Sequence, residues 1–280
     1  MYRNLNTGAI GVKATLPQAI ELAAAHGFAG IDFSISEAQE IASEKGIDHL
    51  RGLFSKAGVV PGSFGFPVEF RRDDATWRGG LEKLPALAAL ATDLGCSLTS
   101  TWIMPRDNNR NFATYFRFLV NRLRPAAEIL ADYGIRCGLE FIGPKTLRET
   151  QRFNFVHTMD GMLAVCAAID TGNMGLLLDI FHLYTAHGTN DDVSRLNKSD
   201  VVTVHVNDAR TGRSADEQID QERALPGATG VMDIAGFLHA LRAIGYNGPV
   251  TAEPFDKTLS SLTADEAVKK TADSMKNIGL

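Results

Sequence analysis

Short apolar or β-rich runs alternate with longer segments of helical periodicity along the whole chain. Strands are predicted over Ala9–Val12, Gly30–Ser34, Val59–Phe66, Ser97–Trp102, Arg136–Ile142, Gly175–Ile180, Val201–Asn207 and Val250–Phe255. Apolar residues recur at helical spacing over Leu16–His26, Glu37–Ala57, Trp77–Leu94, Phe112–Tyr133, Met159–Ile169, Asp192–Leu196, Ile234–Ile244 and Ala264–Ile278, which predicts helices there. Eight strand–helix units of about 35 residues predict a parallel eight-stranded (β/α)8 TIM barrel, one α/β domain spanning residues 1–280. The runs Gly175–Ile180 and Val201–Val206 are almost continuously apolar, as parallel strands covered on both faces must be. A doubly wound open sheet is the competing architecture, but no GxGxxG or P-loop opens a helix. The longest irregular segment, Asp208–Met232, follows the seventh strand at the rim where barrel enzymes carry their chemistry.

Composition narrows the picture. The 280 residues carry 28 Lys+Arg against 33 Asp+Glu, a formal charge of −5. That balance argues against a nucleic-acid partner, whose phosphates call for concentrated cations. Cys96, Cys137 and Cys166 are too few and too scattered for a disulfide framework and form no CxxC pair. No run of apolar residues is long enough to span a membrane, and the first residues lack the apolar stretch of a signal peptide, so a soluble cytoplasmic protein is expected.

The candidate chemistry lies where polar residues interrupt apolar strands. Glu140 follows Gly138-Leu139, Asp179 closes Leu176-Leu177-Leu178, His205 sits near the end of Val201–Val206, and Glu253 closes Val250-Thr251-Ala252. Strands five to eight thus each carry one ionisable group at the C-terminal end. A buried carboxylate is costly unless paired, hydrogen-bonded or bound to a metal. Three carboxylates and one imidazole at one height form an oxygen-rich ligand set for a single divalent ion, Mn²⁺ first, with Mg²⁺, Co²⁺ or Zn²⁺ as alternatives. The other reading leaves each acid at a strand end, exposed to water or held by an arginine. His182, three residues beyond Asp179, is expected to hydrogen-bond a substrate oxygen. Trp102 and Phe66, at the ends of the fourth and third strands, are candidate pocket walls, with core packing as the alternative. Arg223 and Arg210 on the long rim loop, and Lys145 beyond Glu140, are candidate substrate contacts.

Several segments carry a resemblance in chain order: Gly138–Pro144, Leu178–His182, Val204–Asp208, Leu225–Gly227 with Gly230–Asp233, and Gly245–Pro254. Together they resemble the xylose isomerase-like TIM barrel superfamily, in its sugar phosphate isomerase/epimerase branch, which includes inosose isomerases and dehydratases and ketose 3-epimerases. The resemblance implies that Glu140, Asp179, His205 and Glu253 hold one divalent ion, and that Glu140 and Glu253 also exchange protons with the substrate carbon beside a carbonyl. It implies an isomerase or epimerase acting on a keto-sugar or keto-cyclitol through an enediolate. Two alternatives remain open: elimination of water or an aglycone at the same site, as in a dehydratase or lyase, and a non-catalytic sugar-binding subunit. The extra histidines of the superfamily's three-zinc DNA-repair members are missing from Pro61–Phe66, Thr101-Trp102 and Arg223–Gly227. No basic cluster calls for a phosphate. A homo-oligomer paired through exposed helices is compatible with the sequence.

Overall fold

The computed structural model describes all 280 residues. Eight parallel strands close into a barrel: β1 (Tyr2–Leu5), β2 (Gly30–Phe33), β3 (Val60–Gly65), β4 (Leu98–Ile103), β5 (Arg136–Phe141), β6 (Met174–Asp179), β7 (Val201–Val206) and β8 (Pro249–Ala252). Each strand pairs with its neighbours in sequence, and β1 closes the circle against β8 through Arg3 beside Val250. The predicted TIM barrel is therefore the observed fold.

The larger surrounding helices are α1 (Leu16–Ala25), α2 (Ile35–Lys45), α3 (Ile47–Ala57), α4 (Asp74–Asp93) and α5 (Phe112–Asp132). After the short α6 (Lys145–Arg148) come α7 (Met159–Ile169), α8 (Ile180–Thr185), α9 (Asn190–Val193), α10 (Ile234–Ala243) and α11 (Ala264–Asn277). Local chemistry sets where many of them start. Ser34, Asn111, Thr158, Asp233 and Thr263 each accept a backbone N–H of the first turn, which satisfies a donor that the helix cannot.

Three expectations are corrected. The first strand is Tyr2–Leu5, not Ala9–Val12; Ala9 and Ile10 are buried in a 3₁₀ turn over Gly8–Ile10. The sequence Tyr-Arg-Asn-Leu reads as polar because its inward residue, Asn4, is a fully buried amide held by Asp32 and Thr251. The helix predicted over Glu37–Ala57 breaks in two at Gly46, whose φ of 85° no ordinary helical residue adopts. The helix expected at Asp192–Leu196 is a single turn, Asn190–Val193.

Two buried side chains order the rim segment 208–232: Gln218 accepts the Arg210 N–H and donates to the carbonyls of Arg210 and Arg213, and Asp208 holds the two ends. Asp208 is fully buried, and its carboxylate accepts the backbone N–H groups of Ala209, Met232, Thr229 and Gly230 at 2.8–3.2 Å. Its own main chain exchanges two hydrogen bonds with Ala224. The segment is thereby folded back over the barrel mouth, with Asp220, Gln221 and Arg223 lining the cavity there.

Candidate active site and metal centre

The ends of β5 to β8 bring Glu140, Asp179, His205 and Glu253 together. One ligand atom from each lies within 4.8 Å of the others, a spacing from which small side-chain adjustments would bring all four onto a single ion at about 2.1 Å. The register explains the convergence. Asp179 is the direct lateral partner of His205, and Glu253 continues the β8 ladder through its N–H to Val206 O at 3.0 Å. Asp179 also caps α8, accepting Phe181 N–H at 2.7 Å, so strand end and helix start are one residue. Asn207 Nδ2 donates to both Asp179 oxygens, at 3.0 and 3.2 Å, and fixes the plane of that carboxylate.

The set fits a cation on structural grounds. Glu140 Oε1 and His205 Nδ1 are buried without a hydrogen-bond partner, and they lie 3.7 Å apart. Leaving such atoms unmet costs about 1–3 kcal/mol each, and an ion between them satisfies both. Three carboxylates and an imidazole, with no thiolate, suit a hard or borderline divalent metal.

Arg223 flanks the cluster and is 1% exposed. Its Nη1 donates to Asp179 Oδ2 at 2.7 Å and Glu253 Oε2 at 2.9 Å, while Nη2 donates to Asp220 Oδ1 at 2.9 Å. The guanidinium is clamped between Phe181 and Phe255, 4.6 and 4.7 Å from their ring centroids. The residue expected to meet substrate from the loop is thus also a structural partner of two prospective ligands. A carboxylate oxygen carries two lone pairs, so these contacts do not exhaust either acid.

The electrostatics follow from this packing. Burial and the neighbouring Glu253 charge push Glu140 well above the usual carboxylate range. Burial alone would raise Glu253 too, but its contacts with His205 and the Arg223 guanidinium outweigh it and draw the group down to about 2. Burial would lower His205, yet the Glu253, Glu140 and Asp179 carboxylates outweigh it and lift the imidazole to about 10. His182 moves down, because it is buried and lies beside Arg223. Both its ring nitrogens face N–H donors, Gly143 N at 3.3 Å from Nδ1 and Arg223 Nη2 at 3.1 Å from Nε2. An imidazolium would set a proton against each of them and the neutral ring against only one, which favours the neutral form. Gly143 permits this contact, since a Cβ there would sit 2.3 Å from His182 O.

A cavity of about 360 Å³ opens over the cluster. Glu140, His182, Asp220, Gln221, Arg223 and Glu253 line it, together with Trp102, Met104, Ile142, Leu147 and Phe255. Trp102 is therefore where the sequence placed it. Phe66 is not among the lining residues and packs edge-on against Phe70, the core role held as its alternative. Lys145 pairs with Asp216 at 3.2 Å, and Arg210 faces Asp256 at 3.6 Å, both away from this cavity. Sequence reasoning missed Asp220 and Gln221 as site residues, and Asn207 as the support of Asp179. Asn207 had a readable signal in its place directly after the β7 run.

Known proteins resemble this chain in sequence and in fold. An inosose isomerase of Halalkalibacterium halodurans is 24% identical over 264 residues, covering 94% of this chain and 90% of that protein. A 3-dehydroshikimate dehydratase of Pseudomonas putida is 26% identical over 91% of this chain, which spans only 38% of that protein. Among solved structures, the IOLI protein, determined with a bound zinc atom, superposes with a TM-score of 0.82 at 21% identity, covering 99% of this chain and 98% of that one. The family model described as xylose isomerase-like TIM barrel matches residues 20–278, and the chain belongs to that family.

Proposed function

We propose that the chain is a divalent-metal-dependent isomerase or epimerase that acts on a keto-cyclitol or keto-sugar through an enediolate. The observation that carries this reading is the convergence of Glu140, Asp179, His205 and Glu253 beneath a cavity large enough for one six-carbon ring. These four residues would hold the ion, with Mn²⁺ the best match to three carboxylates and one imidazole. When bound, the ion supplies charge stabilisation for oxygens at a carbonyl and its neighbouring hydroxyl.

The chain's own residues then divide the proton work. Glu140 Oε1 accepts no hydrogen bond and its burial favours the protonated acid, which suits it to give a proton to one face of the carbon while the Glu253 anion takes the proton from the other. Glu253 is anchored as an anion by Arg223 and approaches from β8, three strands further round the rim. Two carboxyl groups pushed apart in this way can serve opposite faces of a flat intermediate. Removing the proton leaves its electron pair in the enediolate. Returning it to the other face inverts the centre, and returning it to the neighbouring carbon moves the carbonyl. His182, neutral and beside the cavity, offers hydrogen bonding to a substrate oxygen.

Elimination from the same enediolate is the second reading, in line with the dehydratase relative. It needs an acid at the leaving hydroxyl, and His182, pressed by two N–H donors, is poorly placed to carry the extra proton. A carboxylated substrate also needs a free cation, whereas the one cation lining the cavity, Arg223, already meets Asp179, Glu253 and Asp220. Incubating metal-loaded protein with an inosose in D₂O tests the choice. Solvent deuterium on carbon with an unchanged molecular formula is expected; loss of water would favour elimination, and absence of exchange would remove catalysis from the account.

A further inference from the structure

Trp102 is 43% exposed at the barrel mouth, an unusual place for the largest apolar side chain, yet a cation packs over its ring. The guanidinium of Arg71 lies 4.0 Å from the indole centroid. Arg71 is itself fixed from several sides. Phe70, which is 1% exposed, lies 4.2 Å beneath the same guanidinium. Arg71 Nη2 donates to Thr101 Oγ1 at 3.0 Å and to the carbonyl of Trp102, and Nη1 lies 3.5 Å from Glu69 Oε1. Trp102 is the lateral strand partner of Glu140, so this splinted ring stands beside the prospective proton carrier.

We propose that the substrate is bound as a closed ring with one C–H face laid against Trp102, and that Arg71 is the positioning residue that holds the indole ready for it. This rests on the reading of the cavity as the substrate site. The lining supports a ring on chemical grounds. The β4–β5 side contributes Trp102, Met104, Ile142 and Leu147 around the single carboxyl of Glu140, whereas the rim loop and β8 contribute Asp220, Gln221, Arg223 and Glu253 beside the single ring of Phe255. A cyclic polyol has the matching division, with hydroxyls around its edge and hydrogens on its faces. An open-chain ketose has no lasting flat face to offer. Immobilising the indole beforehand removes an ordering cost from binding, and stacking of a cation on the ring restrains it.

The test uses full-length protein carrying Trp77→Phe, which leaves Trp102 as the sole tryptophan. Metal-loaded protein is titrated with an inosose, a permanent ring, and with erythrulose, a ketotetrose that stays open. The inosose should shift Trp102 emission and erythrulose should not. Arg71→Ala should lower Trp102 anisotropy and weaken inosose binding roughly tenfold, leaving erythrulose unchanged. Arg71→Lys should fall between, because an ammonium does not stack as a plane, and it carries the test if circular dichroism finds the alanine variant unfolded. Inosose binding that leaves emission unchanged, equal losses for both ligands, or no inosose binding at all would each overturn the proposal. A Trp102 response without deuterium uptake by the ligand would leave the platform standing and remove only the isomerase reading.

Discussion

Glu140 and Glu253 are the same residue type in one cluster, and their surroundings make them chemically different. Glu253 accepts from Arg223 and faces His205 Nδ1 at 3.4 Å, whereas Glu140 Oε1 has no donor. The difference predicts unequal consequences of the isosteric amides. Glu140→Gln should lower kcat by about 10²–10⁴ with little loss of stability, since it removes the proposed proton carrier but leaves a neutral group of the same shape in place of a buried neutral acid. Glu253→Gln should also abolish turnover but cost stability, because its amide can turn a donor towards the buried Arg223. Parallel turnover assays and urea melts of both variants check this; near-normal rates for either would remove that residue from proton transfer. At this scale the sequence was informative wherever an acid or imidazole broke an apolar strand. It misplaced Lys145 and Arg210 because both stand on rim loops, where sequence position does not fix which neighbour a long side chain finds. Here the neighbours are Asp216 and Asp256.

Elements carry these residues with different fidelity. Strands five to eight follow from their near-continuous apolar runs, and their observed ends are those at which the polar residues occur. The first strand was unreadable because its buried position is filled by Asn4, whose amide is bonded to Asp32 and Thr251 instead of packed as a hydrophobe. Likewise, no periodicity could reveal that the buried carboxylate of Asp208 pins the two ends of segment 208–232 together. That carboxylate takes four main-chain donors, and the loop it orders delivers Asp220 and Arg223. Asp208→Asn replaces an acceptor by a donor facing those N–H groups, at about 1–3 kcal/mol per broken bond. Amide exchange at Thr229, Gly230 and Met232 should accelerate while β5 to β8 stay protected, and kcat/KM should fall at least about tenfold with Arg223 released. Unchanged exchange at those amides would show that the loop is held by something else.

For the molecule as a whole, the barrel gathers acids from distant parts of the chain into one buried mouth. The formal charge of −5 gives no hint of that concentration. The cost of this crowding sets a pH dependence in metal-free protein. His205 is raised from 6.5 to about 10 by its carboxylate neighbours. Its stabilising contribution is fully present below pH 6.5 and is lost as the pH rises through 10. Glu253, depressed to about 2, contributes above pH 4.5 and is lost in strong acid. Metal-stripped protein should therefore melt at falling temperature from about pH 6.5 to 10, and bound metal, in place of the His205 proton, should flatten that slope. His205→Asn should reduce the slope in stripped protein, leaving the part that the raised Glu140 contributes in the same direction; an unaltered slope would assign it elsewhere. No helix is long and apolar enough to cross a membrane.

The most direct measurement is the stoichiometry and ownership of a bound cation. Stripped protein is dialysed to equilibrium against Mn²⁺ and assayed for metal per chain, beside Asp179→Ala and His205→Ala variants whose folding is verified by circular dichroism. The account predicts one equivalent in the parent protein and at least a hundredfold weaker binding in each variant, as expected for loss of a ligand from a four-residue set. No binding by the parent, or undiminished binding by folded variants, would contradict the claim that these four strand ends exist to hold a metal.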